Sequence, residues 1–88
     1  MTHLYTVIAE YRGGTYIKQV RGLSAKDAIL RWTKQAGRST PKDLSAALRH
    51  IPVEEFEPVL IDGCKNVWCA SSSYRGLLLL NIVKTVHA

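Results

Sequence analysis

The 88 residues leave room for one hydrophobic core and no second one. With 47% hydrophobic and 22% charged residues the chain has a globular composition, which excludes intrinsic disorder. The formal charge of +5 is unevenly placed, since residues 1–50 carry +6 and residues 51–88 carry −1. That asymmetry is the clearest functional hint in the composition.

Leu4 to Tyr11 and Thr15 to Arg21 are two β-rich runs separated by Gly13-Gly14. A Gly-Gly pair suits a two-residue primed turn, which predicts a tight hairpin with Arg12 facing Thr15 and Val7 facing Val20. One face of that hairpin carries Tyr5, Val7, Ala9, Tyr11, Tyr16, Lys18 and Val20, and is assigned to the core. The other carries Arg12 and Arg21 around an apolar centre of Ile8 and Ile17. Gly13-Gly14 could approach an anion, but the turn alone accounts for both glycines.

Ser24 followed by Asp27 is close to a capping box and opens a helix. Ala25, Ala28, Ile29, Trp32 and Ala36 recur on one helical face, with Lys26, Arg31 and Lys34 off it, and Gly37 is a natural stop. Thr40-Pro41 predicts a second helix, with Thr40 as cap and Leu44, Ala47, Leu48 and Ile51 as the buried stripe. Pro52 ends it.

Phe56 to Ile61 reads as a strand in which Pro58 cannot donate to a ladder, so it belongs at an edge and starts late, near Val59. Asn66 to Ser71 is a short strand, and the polar stretch from Ser71 to Gly76 is a loop. Leu77-Leu78-Leu79-Leu80-Asn81-Ile82-Val83 is too short to cross a bilayer, which needs about 20 residues. It reads as a central strand covered on both faces. The prediction is therefore one α+β domain over 1–88, in the order β-β-α-α-β-β-β. It has a mostly antiparallel sheet with two helices packed on one face.

The start, Met1-Thr2-His3-Leu4, has neither the charged region nor the apolar core of a signal peptide, so a cytoplasmic protein is expected. Cys64 and Cys69 are then thiols rather than a disulfide, and their spacing is unlike a Cys-x-x-Cys site. No metal-binding, phosphate-loop or nucleophile-elbow motif is present, so neither cofactor nor metal is expected, and an enzyme is not. A pairing of Cys69 with a distant His would require a pocket that gathers them.

The residues selected as a binding surface are Arg12, Arg21, Lys26, Arg31, Lys34, Tyr74 and Arg75. The first five belong to the basic half. Tyr74 and Arg75 are of types enriched at protein-binding surfaces. The hairpin followed by a Ser-capped helix, residues 4–36, resembles the start of some small bacterial antitoxin domains. The function expected is a non-enzymatic protein-binding module of the immunity, antitoxin or inhibitor kind. The alternative is a basic RNA- or DNA-binding domain, although no nucleic-acid module signature accompanies the charge. A chain this small gains stability from a partner, so a homo-oligomer is compatible with its size.

Overall fold

The hairpin at the start of the chain and the apolar run near its end lie side by side in one sheet. The computed structural model describes residues 2–36 and 40–85. Its elements are β1 (His3–Tyr11), β2 (Gly14–Gly22), α1 (Ala25–Ala36), α2 (Lys42–His50), β3 (Val59–Leu60), β4 (Val67–Ser73) and β5 (Leu77–Thr85). A single 3₁₀ turn, Val53–Glu55, precedes β3. The five strands form one sheet in the order β2-β1-β5-β4-β3, antiparallel at every step. The α+β order predicted from the sequence is the one observed. The apolar run is the middle strand.

The hairpin turn is Arg12-Gly13 rather than Gly13-Gly14, with φ of 49° and 85°. Both values are positive, as a primed turn requires. Gly14 instead closes the ladder opposite Tyr11, and Val7 faces Lys18 rather than Val20. The register thus differs from expectation by two residues, and an even slip leaves every side chain on its predicted face. Gly14 is a glycine for another reason: the Tyr16 ring occupies the place where its Cβ would project.

Tyr5, Val7, Ala9, Tyr11 and Val20 from the hairpin meet Leu78, Leu80 and Ile82 from β5 in one core. Ala25, Ala28, Ile29, Trp32 and Ala36 cover them from α1, as the helical spacing predicts. Gly22 lets α1 come close, because a Cβ there would sit 2.9 Å from the Ala28 backbone nitrogen. Ser24 Oγ accepts from the Asp27 N–H at 3.1 Å, and Asp27 Oδ2 accepts in return from the Leu23 N–H at 2.7 Å. The short Asp side chain reaches the residue before the cap, not the cap itself.

Three details depart from the sequence reading. The N-cap of α2 is Pro41, while the Thr40 hydroxyl bonds the Ala36 carbonyl at 2.6 Å and Ser45 Oγ at 2.8 Å. Of the α2 stripe, Leu44, Ala47 and Ile51 are buried but Leu48 is only half-buried. Ser71 to Ser73 continue β4, so the loop into β5 is only Tyr74-Arg75-Gly76. As expected, β3 starts at Val59 and forms the edge. Gly37 and Arg38 lie outside the described residues.

Candidate functional site

The side chains of a strand alternate between faces, so the helix layer can cover only half of β5. Leu78, Leu80 and Ile82 are fully buried beneath it. Leu77 on the opposite face is 64% exposed, and Leu79, Asn81 and Val83 are half-buried. The expectation that the run is covered on both faces is therefore incorrect. Both helices pack on one face, and among the described residues nothing covers the other.

The strand register defines that open face. Ile17, Ile8, Asn81, Cys69 and Val59 form one row across all five strands. The next row runs Gln19, Thr6, Val83, Val67. Ile17 is 66% exposed and Val59 64%. The polar groups among them largely satisfy one another: Gln19 Nε2 donates to Thr6 Oγ1 at 3.2 Å, and Thr6 Oγ1 shares a hydrogen with Thr85 Oγ1 at 2.6 Å. Among the described strand residues, only Glu10 and Arg21 carry charge on this face. Among the described residues no aromatic ring lies on it, because Tyr5, Tyr11, Tyr16 and Trp68 all alternate to the helix side.

The seven residues selected from the sequence fall into separate places. Arg12, Tyr74 and Arg75 come together where the β1–β2 and β4–β5 turns abut. Arg12 Nη1 donates to the Arg75 carbonyl at 3.1 Å, and the Tyr11 hydroxyl donates to the Tyr74 carbonyl. The Tyr74 ring stacks on His50 at 4.7 Å, and the Arg75 guanidinium lies 5.4 Å from its centroid. Arg12 belongs to the turn rather than to a strand face, and its Nε is 3.8 Å from Asp43. Arg21 is on the open sheet face. Lys26, Arg31 and Lys34 are on α1, across the sheet from it.

Two of those helix cations have local partners. Lys26 Nζ pairs with Glu57 at 2.6 Å, and Arg31 Nε with Asp27 at 3.0 Å. Lys34 makes no ion pair among the described residues. The positive half of the chain is thus distributed over the helix layer, the turn end and the open face. The sequence reading singled out Ile8 and Ile17 but passed over Leu77, Leu79, Val67 and Val59 as surface residues. Strict alternation through the leucine run would have identified Leu77 and Leu79.

Polar chemistry is sparse. Among the described residues the buried side chains are aliphatic or aromatic, and no three of His, Cys, Asp and Glu converge. Cys64 and Cys69 are both free. A shallow hollow of about 440 Å³ on the helix side is lined by His3, Tyr5, Lys26, Trp68 and Lys84. Burial raises the Tyr5 phenol pKa, with the Asp27 carboxylate adding to the shift. No helix among the described residues is long and apolar enough to cross a membrane. In comparisons with protein families, curated proteins and solved structures, the chain matches none.

Proposed function

We propose that this chain is a non-enzymatic protein-binding module of the immunity, antitoxin or inhibitor kind, with its binding surface on the open face of the sheet. The observation that carries the reading is that face itself. It presents exposed Ile17, Leu77 and Val59 beside half-buried Ile8, Leu79 and Val83, with two charged side chains. A face that mixes exposed apolar side chains with short polar ones and few charges has the composition of a protein-binding surface. Two free thiols suit the cytoplasm as its compartment.

Binding of RNA or DNA is the weaker alternative. Single-stranded bases are held by stacking on exposed rings, and among the described residues the open face has none. Lys26 and Arg31 are already engaged with carboxylates, which lowers the charge available for phosphates.

The test is affinity capture from nuclease-treated extracts of cells that make the protein, using wild type, Ile17→Lys and the Arg31→Glu/Lys34→Glu pair. A captured protein is then purified and its affinity measured against all three. The reading predicts that Ile17→Lys abolishes binding and that the α1 pair changes it little. Binding that survives Ile17→Lys and collapses with the α1 pair would move the site to the helix layer. Binding of purified RNA or DNA in a separate titration, with a steep salt dependence, would favour the alternative.

A further inference from the structure

We infer that the occupant of the open sheet face is a second copy of this chain, related by a two-fold axis lying between the sheets and perpendicular to the strands. This rests on the reading of that face as a protein-docking surface. Size is the first argument. Five strands about 4.8 Å apart, from two residues in β3 to nine in β1, β2 and β5 and about seven on average, give a face equivalent to roughly 24 by 24 Å. Two such faces bury on the order of 1,100 Å², at the lower edge of what a specific interface needs.

Charge placement is the second argument, and it selects the axis. Glu10 sits at the turn end of β1, opposite Thr15, and Arg21 sits at the other end of β2, opposite Leu4. They are six ladder steps apart, about 20 Å along the strands. An axis perpendicular to the strands exchanges the two ends and keeps each strand over its own copy. Glu10 of each copy then meets Arg21 of the other, one strand spacing away laterally. Two equivalent ion pairs form, and like charges do not meet. An axis parallel to the strands would instead leave Glu10 at the Glu10 end of both copies.

Asn81 supplies the third argument. It is the one polar residue in the apolar run, and β5 is the middle strand. Its side chain makes no hydrogen bond among the described residues. The ladder levels of Glu10 and Leu4 have their midpoint at Val7, which pairs with Ile82, the residue after Asn81. The two Asn81 amides therefore lie one ladder step to either side of the proposed axis, near the centre of the interface. A polar side chain near the centre of an interface favours the register that lets it keep polar neighbours.

The experiment is sedimentation velocity over about 5–500 μM, the range suited to an interface of this size. It compares wild type, Ile17→Lys, Glu10→Arg, Arg21→Glu and the Glu10→Arg/Arg21→Glu double variant. All substitutions are at exposed positions, and circular dichroism confirms that each remains folded. Wild type dimerises, Ile17→Lys stays monomeric, and each single charge reversal raises the dissociation constant by at least about tenfold. The double variant restores it, because the pairs are re-formed with signs exchanged. Wild type that stays monomeric throughout overturns the inference, while the docking reading is judged separately by the Ile17→Lys capture result. A dimer indifferent to Ile17→Lys overturns the face. A dimer lost with Ile17→Lys but not restored by the charge exchange overturns the axis.

Discussion

Leu80 and Leu77 lie three positions apart in a run that looks uniform, and truncating each to Ala separates the two faces of the sheet. Leu80 is fully buried between Ala9 of β1 and Ala70 of β4. Removing three carbons there forfeits about 2.4 kcal/mol of transfer free energy, at about 0.8 per group. The unfilled cavity raises the expected loss to about 2–5 kcal/mol. A chain of this length is stable by roughly 4–13 kcal/mol, so the change is a large share of the total. Leu77 is 64% exposed, and its truncation should stay within about 0.5 kcal/mol. Urea titration at low micromolar protein, below self-association, reads both: Leu80→Ala moves the midpoint by more than about 1 M, and Leu77→Ala barely moves it. Equal losses at the two positions would refute the one-sided sheet.

The remaining expectations are local. Gly22→Ala should cost about 1–3 kcal/mol in thermal or urea melts, because the new methyl meets the Ala28 backbone rather than a movable side chain. Ser24→Ala should cost about 0.5–2 kcal/mol through the lost cap. Replacing Cys64 and Cys69 with Ser should leave binding intact, and zinc at one equivalent should not raise the Tm; stabilisation by zinc would contradict both. The raised Tyr5 pKa favours the neutral phenol, so its contribution is complete below the unfolded value near 10.0 and is lost as pH rises through the folded one. Tyr5→Phe should therefore lessen the alkaline fall in Tm.

Much of the fold was legible because its signals are local and agree with one another. The α1 stripe follows from spacing alone, and Pro58 places β3 at the edge. The hairpin faces survived a register error because the error was even. What failed has a common physical origin. A run such as Leu77-Leu78-Leu79-Leu80 is apolar on both sides, and its residues do not say how many layers will cover them. That information lies in the count of helices, and two short helices cover one face of five strands. Phe56 is fully buried outside any strand, which a pattern of alternation cannot anticipate. The candidate site was harder still. Charge composition drew attention to Arg12, Lys26 and Arg31: the partners of the first two, Asp43 and Glu57, are brought up by tertiary contacts, whereas Asp27 lies one helical turn before Arg31 and was readable from spacing.

A photo-crosslinking amino acid at Ile17, compared with one at Lys34, tests the central claim most directly in the cells that make the protein. Ile17 is on the open sheet face and Lys34 is on the last turn of α1. The account predicts a protein adduct from Ile17 alone, at twice the 9.8 kDa chain mass when the partner is a second copy. An adduct formed only from Lys34, or one formed with nucleic acid from either position, would contradict it.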